Sequence, residues 1–438
     1  MTPREFLKNK SVLVVGLGIL GGGVATTKWL VKHGAKLTVT DLKSRRELAH
    51  SIKELGSAAK RVRFVLDRHN SRDFITHDFI VLNPAISLSS PYVKVARKAK
   101  IPLENELTLF LRFCKNPVIG VTGTKGKTTT ATWIRHFLKR KFPKSVLTGN
   151  TAENPLLGAL DKLDGKSPVV AELSSFQLEL LPSIKKSPHI AVLTNLMRDH
   201  LNRHSTMREY ARAKENIFKY QKKGDVAIRP NFLASARLGF KILPSFGNKW
   251  GEHNVTNLRV AALAAHKAGV SWDLIKKAVN TLPNPRFRQQ IIFKSAGPTI
   301  INDSTATTPD AVVAAIKRFS RSGVPIILIA GGTDKNLDFR SWAGIVKRTV
   351  APEHLILLEG SATTKMLAAL PRSFQKRVRT FRTLERCVST AVQRAHLVSR
   401  ATVLFSPGGA SFEKFKNEFD RGEKFNRLIR KIIQKRRA

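Results

Sequence analysis

Two glycine-rich loops hold the side chains whose types and spacing could do chemistry. In Val118-Ile119-Gly120-Val121-Thr122-Gly123-Thr124-Lys125-Gly126-Lys127-Thr128-Thr129, glycines are interleaved with hydroxyl and lysine side chains. Backbone N–H groups around Gly123 and Gly126 can surround a phosphate, Lys127 can reach β and γ oxygens, and the Thr128 hydroxyl suits Mg²⁺. A strict Walker loop has glycine where this chain has Val121, and Gly123 supplies the flexibility instead. The segment predicts a nucleoside triphosphate site built from Gly123, Thr124, Lys125, Gly126, Lys127, Thr128 and Thr129. Upstream, Gly16-Leu17-Gly18-Ile19-Leu20-Gly21 follows a short apolar run, and Asp41 lies 20 positions beyond Gly21 at the end of the next one. Glycines there let a backbone approach a diphosphate at a positive helix end, with Asp41 as acceptor for a ribose or base. An NAD-dependent dehydrogenase would use that loop alone, but the same geometry takes any nucleotide diphosphate. A dehydrogenase also leaves the second loop unexplained.

Such loops need a strand before them and a helix after them. Apolar runs at 11–16, 36–41, 117–120, 299–303, 325–331, 354–360 and 401–406 have strand length and alternate with helical patterns, including 21–33 and a helix entered near Lys127. That alternation predicts an α/β protein built from βα units and parallel sheets. The prolines of Leu282-Pro283-Asn284-Pro285-Arg286 break helices and suit a joint between domains. Three domains are expected: 1–106, N-terminal and Rossmann-like; 107–287, central and P-loop ATPase-like; and 288–438, C-terminal and Rossmann-like.

Composition excludes several other classes. The 438 residues, 42% of them hydrophobic, can fill more than one core. Two cysteines, Cys114 and Cys387, make neither a disulfide framework nor a four-ligand zinc site, so a reduced, cytoplasmic protein is expected. The first ten residues scatter charges before any long apolar stretch, so neither a secretory signal nor an anchor is expected. Its apolar strands fall well short of the roughly 20 residues that span a bilayer, so no membrane insertion is expected. Lys and Arg number 77 against 31 Asp and Glu, a formal charge of +46. A basic nucleic-acid-binding protein is therefore a competing reading. The basic residues recur along the whole chain, aromatics make up only 7%, and no stacking platform or zinc finger is present, so only non-specific nucleic acid binding is expected.

The Gly123-Thr124-Lys125-Gly126-Lys127-Thr128-Thr129 form of the loop, with the segments that follow it in order, resembles the Mur ligase family of ATP-dependent amide-forming enzymes. Glu172-Leu173-Ser174-Ser175-Phe176-Gln177-Leu178-Glu179 resembles a hallmark of the branch that adds D-glutamate to UDP-N-acetylmuramoyl-L-alanine. Further matches are Asn195 to His204, Tyr210 to Lys214, Gly251 to Asn257, Ile301 to Thr307, Ser406 to Phe412 and Phe415 to Gly422, and together they cover all three expected domains. The resemblance implies a three-domain ligase with ATP and two Mg²⁺ as cofactors, acting as a monomer on UDP-N-acetylmuramoyl-L-alanine and D-glutamate through an acyl phosphate. A related Mur-type or folylpolyglutamate-type ligase is the alternative within the same class.

Residue by residue, the resemblance implies that Lys127 holds the β/γ-phosphates, that Thr128 and Glu172 hold the first Mg²⁺, and that His200 holds the second. Lys214 corresponds to the lysine that this family carbamylates, which would place a carboxylate-like ligand near the second metal. Asn254 would contact the adenine and Asp303 the ribose. Arg288, 15 positions before Asp303, is preferred to Arg286 as the phosphate-binding arginine. The D-glutamate pocket would use Thr307, Lys335, Ser411, Phe412 and Phe419. The UDP-sugar would lie on Gly16, Gly18, Gly21, Asp41, Lys43 and Asn150. Four positions depart from the family pattern: Ala85 replaces a glycine, Asn202 an acid, Thr305 a lysine and Glu418 an aromatic.

Overall fold

The computed structural model describes residues 1–19, 21–150, 154–230, 237–398 and 400–437, with the side chains of 201, 202 and 435–437 outside that description. Three β-sheets carry the fold. The first contains β1 (Ser11–Val15), β2 (Lys36–Asp41), β3 (Val62–Leu66), β4 (Phe79–Leu82) and β5 (Leu103–Glu104). Its strands are all parallel, in the order β3-β2-β1-β4-β5. The second contains β6 (Val118–Thr122), β7 (Val146–Gly149), β8 (Val169–Glu172), β9 (Ile190–Leu193) and β10 (Val226–Ile228). These too are parallel, ordered β10-β9-β6-β8-β7. The third contains β11 (Gln290–Lys294), β12 (Thr299–Asn302), β13 (Ile326–Gly331), β14 (Leu355–Leu358), β15 (Arg379–Phe381) and β16 (Thr402–Gly408). Its order is β11-β12-β16-β13-β14-β15, with β11 alone antiparallel.

Strands such as Phe79-Ile80-Val81-Leu82 and Ile326 to Gly331 are buried along their whole length. A parallel sheet covered by helices on both faces requires this, and it explains why the strands read as unbroken apolar runs. In the first sheet the strand order reverses between β1 and β4, and in the second it reverses at β6. Crevices open at the carboxyl ends of strands at such switch points. The first glycine loop leaves β1 and the second leaves β6, so topology places each loop where a doubly wound sheet binds ligands.

The chain forms two compact units: Met1–Lys241 with Asn257–Pro283, and Ile242–Thr256 with Asn284–Ala438. The first unit contains two of the sheets, joined by one apolar core that runs from Leu7 to Phe218. The passage between units at Pro283 and Asn284 falls inside the proline-rich stretch expected to be a joint. The segment 242–256, expected within the central domain, groups with the later unit, because its partners lie far along the chain.

Candidate active site

The second glycine-rich loop is held in shape by its neighbours. Thr124 and Lys125 donate their N–H groups to the carbonyl (3.0 Å) and the side-chain oxygen (2.9 Å) of Asn195, which follows β9. Thr194 Oγ1 and Asn195 Nδ2 donate back to the Lys125 carbonyl at 2.6 and 3.0 Å. A Cβ at Gly123, where φ is 147°, would lie 1.9 Å from Thr194 Oγ1, and at Gly126, where φ is 82°, it would lie 2.4 Å from Asn257 Oδ1. Only glycine fits either place. Lys127 opens the helix Lys127–Leu138, so Thr128 and Thr129 stand in its positive first turn. Lys127 Nζ donates to the carbonyls of Gly123 (2.9 Å) and Thr124 (3.1 Å), which keeps the ammonium over the loop it serves.

Around this loop lie the other residues expected in the first unit. Glu172, the last residue of β8, is buried and pairs in register with Val121 of β6. Lys214, on the helix Met207–Glu215, is 2% exposed and donates to Gly123 O (3.0 Å) and Thr122 Oγ1 (3.3 Å). Burial, then the charge of Lys127, lowers its pKa to about 6, against the opposing pull of Asp199. Its amine is therefore neutral at physiological pH, the form that attacks CO₂. Asp199 accepts from Lys125 Nζ at 3.2 Å and from the N–H of His200 at 2.9 Å. His200 holds a left-handed conformation, φ 55°, where a side chain other than glycine is strained by about 1 kcal/mol or more. Asn150 follows β7 and donates its N–H to Glu172 O at 2.8 Å.

At the first loop, Asp41 shapes the backbone: its carboxylate accepts from the N–H groups of Gly18 and Lys43, both at 3.0 Å. Gly16, Gly18 and Gly21 all have positive φ. The glycine that lets the helix Gly22–Lys32 approach is Gly23, where a Cβ would lie 2.2 Å from Leu17 O. Spacing alone missed this residue; the run Gly21-Gly22-Gly23 was the available signal. Ala85 lies outside the left-handed region, so the backbone accommodates its methyl group.

The second unit contains the remaining expected residues. Asp303, just past β12, accepts from Gln289 N–H (3.0 Å) and Ser406 Oγ (2.8 Å). Burial pushes its pKa up to about 7, opposed by those hydrogen bonds and by the charges of Arg288 and Arg318. The charge of Arg288 is thus felt at Asp303, whereas Arg286 pairs with Glu423. Asn254 Nδ2 donates to Trp250 O at 2.7 Å. Arg318, which sequence reasoning missed, links the Trp250 segment to this carboxylate by donating to Lys249 O (3.0 Å) and Gln289 Oε1 (3.1 Å). The loops carrying Lys335 and Ser411 are joined by reciprocal N–H···O bonds between Thr333 and Ala410, both 2.9 Å. Arg421, wholly buried and given no role of its own within the Phe415–Gly422 match, donates to Ser304 O (2.8 Å), Gly409 O (3.1 Å) and Ala410 O (3.1 Å), fastening the Thr307 and Ser411 loops together. The Ser411 hydroxyl is buried without a hydrogen-bond partner among the described residues. Phe412 is exposed, and the Phe419 ring lies edge-on to Phe287. Thr305 Oγ1 donates to Phe287 O at 2.7 Å, and Glu418 opens the final helix, its carbonyl accepting from Ser304 Oγ. The Asn202 side chain lies outside the described residues.

The class these features define is a three-sheet α/β protein with a glycine-rich loop opening a helix at a sheet switch point. Residues 10–104 match the Mur ligase MurD-like N-terminal domain, and residues 121–234 match the Mur ligase middle domain. A curated relative, the UDP-N-acetylmuramoylalanine--D-glutamate ligase of Roseiflexus sp. (strain RS-1), is 37% identical over 97% of this chain and 99% of its own length. The protein of the same name from Borreliella afzelii (strain PKo) is 35% identical over 97% and 98%. Among solved structures, UDP-N-acetylmuramate-alanine ligase MurC of Thermotoga maritima aligns over 97% of this chain and all of its own, with a TM-score of 0.61 and 19% identity. MurF ligase of Thermotoga maritima in complex with ADP aligns over 99% and 97%, with a TM-score of 0.56 and 16% identity. This chain belongs to the Mur ligase family.

Proposed function

We propose that this protein joins D-glutamate to UDP-N-acetylmuramoyl-L-alanine at the expense of ATP, in the synthesis of peptidoglycan precursors. The observation that carries this reading is likeness over 97% of the chain to relatives bearing that one name, and the gathering of Lys127 and Lys214 on the Gly123 carbonyl supports it. A free carboxylate is a poor electrophile, so the alanyl carboxylate is first phosphorylated. The amine of D-glutamate then attacks the acyl phosphate, and phosphate leaves. The chain's work is positioning and charge neutralisation. Lys127 and the loop N–H groups other than those of Thr124 and Lys125 grip the β and γ phosphates. Arg288 and Asp303 hold the phosphate and ribose, and Asn254 the adenine. The first loop with Asp41 and Lys43, together with Asn150, seats the UDP-sugar. Ser411 donates to a D-glutamate carboxylate and Lys335 supplies the opposing charge, with Thr307, Phe412 and Phe419 completing the pocket.

Mg²⁺ fits the donor set. Among the described residues no three His, Cys, Asp or Glu side chains form a ready-made cage, and Mg²⁺ characteristically takes one or two protein oxygens plus substrate phosphates. Thr128 and Glu172 would hold one ion, and His200 with a carbamylated Lys214 a second. The ions would supply neutralisation of the phosphoryl charge. A monomer in the cytoplasm, with an N-terminal domain 1–106, a central domain and a C-terminal domain to which 242–256 is added, completes the proposal. Among the described residues no helix is long and apolar enough to cross a membrane.

The decisive experiment measures phosphate release from ATP, with UDP-N-acetylmuramoyl-L-alanine present, across a panel of L- and D-amino acids. D-glutamate is expected to stimulate release. Stimulation by another amino acid and not by D-glutamate would overturn the assignment.

A further inference from the structure

Beside the phosphate loop, one arginine in the first unit has no part in the chemistry above. Arg203 follows the His200 turn, and its N–H bonds to His200 O at 3.0 Å. Its side chain is only 12% exposed. Nη1 donates to Ala85 O at 3.2 Å, and Nη2 donates to Ile86 O at 2.7 Å and to Glu179 Oε2 at 2.9 Å. The guanidinium also lies over the Phe176 ring, 5.2 Å from its centroid, and that ring meets His200 edge-on at 5.1 Å. The carbonyls it grips belong to the loop leaving β4, at the switch point of the first sheet. In that loop Ile86 N–H donates to Asn83 O at 2.9 Å and Asn83 Nδ2 to Gly16 O at 3.1 Å. A continuous set of bonds therefore runs from the His200 turn through Arg203 to the first glycine loop.

The neighbouring Ser175, His204 and Glu179 stand in the order of a hydrolase triad, with Ser175 Oγ 3.0 Å from His204 Nε2 and His204 Nδ1 3.5 Å from Glu179. Ser175 and His204 are 2% and 5% exposed, and their hydroxyl and ring nitrogen are taken up by each other. Their arrangement holds Glu179 in place as the counter-charge of Arg203.

We infer that Arg203 is a positioning residue for the muramyl nucleotide: by clamping the Ala85 and Ile86 carbonyls to the His200 turn, it fixes the span between the diphosphate cradle and the place where the substrate carboxylate is phosphorylated. This rests on the function proposed above. The substrate bridges both ends of the span, so an error in it misplaces the reacting carboxylate. Arginine is required because its planar fork serves two successive carbonyls and a carboxylate at once, which the single ammonium of lysine does not.

The test uses Arg203→Lys, which keeps the charge and removes the fork; Arg203→Ala is the harsher companion. Two readouts are taken: amide hydrogen exchange over 83–90 in the free protein, and the separate KM values for muramyl nucleotide and ATP. Arg203→Lys is expected to speed exchange over 83–90 and to raise the muramyl-nucleotide KM about tenfold, with the ATP KM within about twofold of wild type. Unchanged exchange together with an unchanged muramyl-nucleotide KM overturns the inference, as does an equal rise in both KM values with a lowered melting temperature. If wild-type protein shows no D-glutamate-dependent turnover, the functional proposal fails, and the exchange measurement alone decides whether Arg203 fastens the loop.

Discussion

Lys214 shows how burial, rather than identity, makes a residue chemically special. Nothing in its spacing announces chemistry, and only the resemblance to a family singled it out; the structure supplies the physical reason, an amine sealed beside Lys127. Because its folded pKa of about 6 lies below the unfolded value of about 10.4, the native chain binds fewer protons across that window. The penalty of burying the charge is thus full below about pH 6 and fades as pH rises toward 10. With Lys214 carrying the carbamate proposed above, the same shift would set the activity profile. A protonated amine cannot carry a carbamate, so kcat is expected to fall on the acid side with a midpoint near 6. Bicarbonate labelled with ¹³C should give a carbamate NMR signal that Lys214→Met lacks, and that variant should lose at least about a hundredfold in kcat. A kcat flat through the acid range, or a carbamate signal persisting in Lys214→Met, would remove Lys214 from the chemistry.

At the scale of elements, strands and their loops were legible because parallel strands are buried on both faces and leave unbroken apolar runs. The run 36–41 is β2 as expected, and 325–331 differs from β13 by one residue. What stayed hidden depends on partners distant in sequence: the grouping of 242–256 with 284–438, the reach of Arg318 and Arg421, and the tie from Arg203 to Ala85. Gly23 falls between these cases, because a glycine run marks a close approach without saying which glycine makes it. The structure separates them. At Gly21 a Cβ would meet nothing within 4 Å and only the left-handed φ of 89° resists it, whereas at Gly23 it would strike Leu17 O at 2.2 Å. Gly21→Ala is therefore expected to cost about 1 kcal/mol, and Gly23→Ala about 2–3 kcal/mol because the helix must shift. Urea unfolding measures both. The reverse ranking would mean that backbone conformation, and not helix approach, governs this turn.

For the whole molecule, charge is the dominant unexplained property, and its sign fixes how salt should act. With 77 Lys and Arg against 31 Asp and Glu, most cations have no acid to meet. Exposed pairs such as Lys10–Asp78 and Lys424–Asp420 are worth at most about 1 kcal/mol each and weaken in salt. The repulsion among the remaining cations weakens too, and a net charge of +46 makes that the larger effect. Raising ionic strength from about 0.01 to 0.15 M shortens the screening length from about 30 to 8 Å, so the melting temperature is expected to rise over that range and then level off. Binding to mixed oligonucleotides should fall steeply over the same range, because it rests on counterion release and not on a built site. A melting temperature that falls with salt would mean that ion pairs outweigh repulsion. Oligonucleotide binding tighter than about 1 μM at 0.15 M salt would mean that the basic surface is organised for nucleic acid after all, since non-specific binding at that salt is typically weaker.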